Sequence, residues 1–207
     1  MPFLYFDPMY FIITLPALLL ALYAQWRVSS AYNKWGQVPN QRSVSGLDAA
    51  RSLLALNGLQ HVRIEGVGGQ LSDHYDPGSK TLRLSQGVAY GSSVASIAIV
   101  AHEVGHAVQD AQGYAPLRIR AALVPAVTLG SNLGWILFMI GLFLSAYTAS
   151  SFGITIAELG LVAFSLSAVF ALVTLPVEFN ASARAKEMVA SGYLVGGAQD
   201  LQGTNAV

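Results

Sequence analysis

Three long stretches of the chain carry almost no polar side chains, and a shorter mixed segment separates the first from the other two. Residues 9–26 (MYFIITLPALLLALYAQW) are uncharged, with aromatic residues near both ends. Between Arg120 and Glu178 the only charged residue is Glu158. The small polar run Thr148-Ala149-Ser150-Ser151-Phe152-Gly153 divides that stretch into apolar segments at 122–147 and 154–175. About 20 apolar residues suffice for a helix to cross a bilayer, so the pattern predicts three transmembrane helices, the last two a hairpin. Pro16 kinks the first, which a span tolerates. No Lys or Arg precedes that span, so it reads as a retained anchor rather than a cleaved signal peptide.

Residues 29–120 form the sizeable water-facing portion. A helix starts at Ser45-Gly46-Leu47-Asp48, carries Ala49, Ala50, Leu53, Leu54 and Leu56 inward, and stops at Asn57-Gly58. Strand patterns follow at 61–65, 70–75 and 80–84, with Asp76-Pro77-Gly78-Ser79 as a turn, which predicts a small antiparallel sheet. A second helix covers 94–112, capped at Ser92-Ser93 and stopped at Gly113. Beyond Ser191, Gly192, Gly196, Gly197 and Gly203 predict a loose tail. The fold class is therefore an α+β integral membrane protein. Its parts are an N-terminal span (1–28), a water-facing domain (29–120), a helical hairpin (121–177) and a C-terminal helix with its tail (178–207).

Composition sharpens this. The chain is 54% hydrophobic and 11% charged, against about 25% charged in a soluble domain. Its zero net charge offers no footprint for nucleic acid. With no cysteine, disulfides and thiolate metal sites are excluded. Nine of the eleven basic residues lie from Arg27 to Arg120, and the other two are Arg184 and Lys186. The positive-inside rule puts both basic segments in the cytoplasm, with the N-terminus and the hairpin tip outside. Glu158, near the outer end of the third span, reads as a snorkelling or bundle-facing carboxylate rather than a proton relay.

Candidate chemistry sits in the second helix, at His102-Glu103-Val104-Gly105-His106. Residues four apart share a helix face, so His102 and His106 can offer two imidazole nitrogens to one metal ion. Glu103 beside them is placed to take a proton from water activated by that metal. A catalytic zinc usually takes three protein ligands. The candidates for the third are His61, His74 and the carboxylates. Glu178 is the most persuasive, because it leaves the third span on the same side as the histidine helix.

Three segments together carry a family resemblance: Asp73-His74-Tyr75-Asp76-Pro77, His102-Glu103-Val104-Gly105-His106-Ala107-Val108-Gln109, and Leu175-Pro176-Val177-Glu178-Phe179-Asn180-Ala181-Ser182. They resemble the signature blocks of the YugP-type neutral zinc metallopeptidases, membrane proteins of bacteria. The match extends through Tyr114, Leu117-Arg118 and Pro125. The resemblance implies a zincin-like domain of gluzincin type, with His102, His106 and Glu178 as zinc ligands and Glu103 as catalytic base. More distantly the chain is similar to the HtpX and prenyl-protein proteases. The family often has Asp where this chain has Asn180, whose carbonyl can still accept an N–H from a neighbour of the metal.

The expected reaction is peptide hydrolysis in the cytoplasm, close to the inner membrane, on peptides or membrane-protein segments. His74, Tyr75, Tyr114 and Arg184 are the candidates for stabilising the oxyanion. Strand addition along 70–75 would align an extended substrate. A homo-oligomer or a regulatory membrane partner is compatible with small residues such as Gly130, Gly134 and Ser145. The competing class is a membrane-bound, non-proteolytic zinc scaffold or assembly factor. The presence of Glu103, which contributes nothing to holding an ion, favours the enzyme. A transporter would need more polar groups in its spans.

Overall fold

Residues suited to capping a helix bound the two longer helices of the segment between the apolar stretches. In the computed structural model, which describes residues 8–148, 151–191 and 197–206, helix α1 (Pro8–Gly36) leads to α2 (Gly46–Leu56). At its start the Asp48 N–H donates to Ser45 Oγ at 3.2 Å; at its end Asn57 Nδ2 donates to Leu53 O at 2.8 Å. Strands β1 (Arg63–Val67), β2 (His74–Asp76) and β3 (Thr81–Ser85) follow, then the one-turn α3 (Gln86–Ala89) and the long α4 (Val94–Ala111). Ser93 caps α4 by accepting from the Ser96 N–H at 3.1 Å, and Gly113, at φ +65°, turns the chain out of it.

The sheet is mixed, not antiparallel. Its order is β1-β3-β2, with β3 antiparallel to β2 and parallel to β1. Residues 68–73 carry the chain past the central position to the far edge, and the Asp76 turn brings β3 back between its neighbours. Asp76 accepts from the Gly78 N–H at 2.9 Å and the Ser79 hydroxyl at 2.6 Å. Bonds from Ser79 and Arg83 hold its carboxyl down at about 2. Burial decides the order: Thr81, Leu82, Leu84 and Ser85 of β3 are covered on both faces, whereas β1 is mostly exposed. A strand buried on both faces belongs in the middle.

The core lies between α2, β3 and α4. Ala49, Ala50, Leu53 and Leu54 form the inward face of α2. They meet Ile97, Val100 and Val104 of α4, each at most 1% exposed, and Leu82 and Leu84 of β3. Burying each of these larger side chains contributes about 1.5–3 kcal/mol. The linker after α1 is tied to the start of α4 by Asn40 N–H to Ser92 O and Val94 N–H to Val38 O, both at 2.9 Å. Trp35, near the end of α1, packs on Val94 and Ala95.

Helices α5 (Ala115–Thr148) and α6 (Ser151–Ala190) pack against each other along an extended seam and are long and apolar enough to cross a membrane. Both run unbroken from the α4 side into the hairpin. A Cβ on Gly134 would stand 2.7 Å from Gly160 O, and one on Gly141 2.3 Å from Ala157 N. Gly153 likewise meets the backbone of Ser145. The close packing that the small residues allow is thus used within the hairpin. The first apolar stretch lies in the 29-residue α1, where Leu20, Tyr23 and Trp26 are exposed.

The tail departs from expectation. Helix α7 (Ala198–Ala206) lies on α4 and α6 and meets the end of α1 at Trp35. Asp200 is 2% exposed and accepts from the Gln41 N–H at 3.1 Å. Gly203 is the reason α7 can dock: a Cβ there would sit 2.6 Å from the Trp35 ring. The glycines read as loosening the chain include one that allows close contact. Gly192 and Gly196 lie outside the described residues.

Candidate metal centre

Helical spacing puts His102 and His106 one turn apart on α4, their rings edge to face with centroids 4.9 Å apart. Gly105 lets α6 approach this face, since a Cβ there would stand 2.7 Å from Ala181 O. The close crossing delivers Glu178. Its Oε2 lies 3.1 Å from His102 Nε2 and 3.4 Å from His106 Nε2. Ligand atoms about 2.0–2.1 Å from a tetrahedral zinc lie roughly 3.3–3.4 Å apart, so the two histidine–glutamate spacings fit such an ion, and all three donor atoms lie within 4.8 Å of one another. Among the described residues, His102, His106 and Glu178 form the one group of three or more donors able to hold a metal.

The partners of these donors also suit a metal. His106 Nδ1 lies 3.0 Å from Gln109 Oε1. Gln109 is fully buried, and its Nε2 donates to Val177 O at 2.8 Å and to Asn180 Oδ1 at 3.0 Å. With the amide nitrogen so occupied, its oxygen must face His106 and accept a hydrogen bond from Nδ1–H. That assignment leaves the Nε2 lone pair of His106 aimed at Glu178. His102 Nδ1 is paired with Ser182 Oγ at 3.2 Å. The second oxygen of Glu178 is bound by Arg120 Nη1 at 3.1 Å. A bond from His102, with the charge of Arg120, holds the Glu178 carboxyl well below the usual carboxylate range.

Glu103, next to His102, turns toward the sheet. The Tyr75 N–H donates to its Oε2 at 3.0 Å. Burial pushes its carboxyl up to about 7, although His102 and the Tyr75 N–H pull the other way. A carboxyl at that value can exchange protons near neutrality. Because β2 is the edge strand, the Tyr75 N–H also shows that its unpaired side faces this carboxylate.

The remaining sequence candidates separate. The Tyr75 hydroxyl donates to Asp110 Oδ2 at 2.7 Å, and Lys80 pairs with the same carboxylate. Burial and Asp110 raise the Tyr75 phenol above its ordinary value. Its contribution to the site is therefore the backbone N–H. His74 is exposed, with Nδ1 2.8 Å from Ser72 O and Nε2 beside Arg83, outside the donor cluster. His61 is exposed and also outside it. Tyr114 gives its backbone N–H to Gln109 O at the end of α4. Arg184 Nε donates to Asn180 Oδ1 at 2.7 Å. Asn180 therefore supports Gln109, one step removed from the histidine.

Gln109, Ser182 and Arg120 were not assigned roles from the sequence. A spacing signal existed for two of them: Gln109 is three residues beyond His106, and Ser182 four beyond Glu178, each on the face of its ligand. Gln109→Leu should keep the fold but weaken zinc binding about 10–100-fold, as loss of an orienting partner typically does. Competition with a zinc chelator measures this, and unchanged affinity would remove Gln109 from the site.

Beside the donors a cleft of about 530 Å³ opens between α4 and α6, with His102 and Glu103 in its wall. The profile of a family described as "Putative neutral zinc metallopeptidase" matches residues 10–207. The chain is similar to the "Putative membrane protease YugP" of Bacillus subtilis (strain 168), at 39% identity over 183 residues. That alignment covers 88% of this chain and 78% of the relative. No solved structure matches the chain significantly.

Proposed function

The chain belongs to the neutral zinc metallopeptidase family, and from that premise we propose that it is a membrane-embedded endopeptidase of gluzincin type. It cuts peptide bonds near the cytoplasmic surface of a bacterial inner membrane. The observation that carries this reading is the convergence of His102 Nε2, His106 Nε2 and Glu178 Oε2, with Glu103 alongside.

His102, His106 and Glu178 hold the zinc ion. When bound, zinc supplies Lewis acidity, acidifying water and polarising a carbonyl group. Glu103 accepts the proton of the attacking water and returns it to the departing amine. The Tyr75 N–H keeps the Glu103 carboxylate in place through this exchange. Gln109 and Ser182 fix the imidazole orientations, and Arg120 holds Glu178 by the oxygen that does not face the histidines. An extended substrate lies along the open side of β2, which brings its carbonyl beside Glu103.

Three spans anchor the enzyme: α1 through residues 9–26, and the α5–α6 hairpin. Basic residues on the α4 side of all three support a cytoplasmic position for that side. Glu178 lies a few residues beyond the apolar end of the third span, so the site is close to the membrane surface.

One experiment tests activity and orientation together. Inverted membrane vesicles carrying the zinc-loaded protein should cleave an added water-soluble reporter peptide, and intact right-side-out vesicles should not. Chelation should stop cleavage and zinc restore it. Since the ionised form of Glu103 is the base, kcat/KM should rise with pH through an acid limb. The cation lowers a neighbouring carboxyl, so that limb should centre at or below about 7. Cleavage only by right-side-out vesicles would contradict the orientation. Activity that survives chelation would contradict the mechanism.

A further inference from the structure

The cleft beside the donors has a chemistry of its own. Helices α4 and α6 are nearly in backbone contact at Gly105 and Ala181, and away from that crossing a cleft opens between them. Part of its wall is small: Ala98 and Ala101 on one helix, Ser182 and Ala185 on the other, at helical spacing, with Ile99, Lys186 and Val189 beside them. These small residues help leave about 530 Å³ free, within the range of about 300–1,000 Å³ typical of ligand pockets.

Besides Glu103 and the basic Lys186, the wall holds one further acidic group, Asp73, which is already occupied. Its two oxygens accept from the Ser85 N–H at 2.7 Å and the Ser85 hydroxyl at 3.1 Å. It is thus poorly placed to select a basic side chain. The rim is apolar and exposed: Phe179 of α6 is 71% exposed and Val28 of α1 is 56% exposed. These two residues lie just beyond the ends of the apolar stretches at 9–26 and 154–175. The rim therefore lies at the level where both helices leave the bilayer, and the cleft runs from it to Glu103.

We propose that this cleft is the subsite for a bulky apolar side chain next to the scissile bond, and that Val28 and Phe179 admit it from the bilayer. The preferred substrate is then an apolar segment of a membrane protein as it emerges from the lipid. This rests on the peptidase reading of the site. It adds which residue of the substrate is selected, and from where it comes. Large apolar side chains gain by burial in such a pocket, whereas a basic one would lose its hydration beside Lys186.

The test uses full-length protein in phosphatidylethanolamine–phosphatidylglycerol vesicles, with peptides that have a span of about 20 apolar residues and a cytoplasmic tail. The tail position entering the cleft is varied. Phe or Leu there should give kcat/KM at least about tenfold above Ala. Ala185→Leu, which fills the cleft, should bring the Phe-to-Ala ratio close to one while zinc content stays the same. An unchanged ratio in zinc-loaded Ala185→Leu overturns the subsite.

If that variant does not fold, crosslinking decides. Phe179 is replaced by p-benzoylphenylalanine in the Glu103→Gln protein, with Leu129, an exposed residue in the apolar part of α5, as the control position. The spanning peptide should crosslink at 179 and much less at 129, and equal yields overturn the proposal. Equal labelling at 179 by a soluble peptide of the same tail overturns delivery from the bilayer. Crosslinking at 179 with no cleavage by the wild-type protein would sink the peptidase reading and leave the cleft only as a binding site for the emerging segment.

Discussion

Glu103→Gln should lower kcat for peptide cleavage by about 10²–10⁴-fold, the usual contribution of a general base, while the protein still binds one zinc ion. The substitution replaces one carboxylate oxygen with an amide and keeps the shape. The remaining oxygen can still accept the Tyr75 N–H that now reaches Glu103 Oε2 at 3.0 Å. None of the three converging donors is touched. The variant therefore separates proton transfer from metal binding. Zinc content with steady-state kinetics in vesicles measures both. Full activity in zinc-loaded Glu103→Gln would mean that the proton goes elsewhere, and the mechanism would be wrong. A scaffold that only holds the ion would show no difference between the two proteins.

Glu178→Ala should lose zinc and activity together. The carboxylate is the one donor supplied by α6, and without it two imidazoles on α4 remain. The substitution also leaves Arg120 facing the histidines with no anion between them. A cation beside two ligand nitrogens opposes a second cation by direct repulsion. Both effects act in one direction, so the loss of affinity should exceed the roughly 10–100-fold typical of an outer partner. The packing of Val177 and Ala181, both fully buried, gives α6 its place independently of the carboxylate. The hairpin should therefore persist, and circular dichroism should show retained helix. Near wild-type zinc affinity in Glu178→Ala would place the third ligand elsewhere.

What could be read from the chain was whatever depends on near neighbours. Ser45, Asn57, Ser93 and Gly113 mark helix ends by local bonds, so the bounds of α2 and α4 followed from the pattern to within a residue. The two histidines needed only the helix repeat. Strand order was different: alternation identifies a strand but says nothing about which neighbour it takes. The parallel pairing of β1 with β3 arises from the path of residues 68–73 and from the burial of both faces of β3. Gly203 illustrates the same limit. A glycine reads as freedom until the Trp35 ring 2.6 Å from its missing Cβ turns it into a contact.

The centre itself divides in the same way. Its α4 half was visible as a five-residue motif. Glu178 was assigned by which side of the membrane its helix emerges on, together with the family resemblance. The roles of Gln109, Ser182 and Arg120 exist only once α6 crosses α4 at Gly105. Gln109 became interpretable when its amide nitrogen was found bonded to Val177 O and Asn180 Oδ1. His74 and Tyr75 looked like chemical groups because they adjoin the edge strand. In the fold Tyr75 supplies its N–H to Glu103 and its hydroxyl to Asp110, and His74 turns outward to Arg83.

The most direct measurement is anomalous diffraction at the zinc absorption edge from crystals of the zinc-loaded protein. A single peak is expected at about 2.0–2.2 Å from His102 Nε2, His106 Nε2 and Glu178 Oε2, with a fourth position open on the Glu103 side. A peak on another set of residues, or none between α4 and α6, would contradict the assignment.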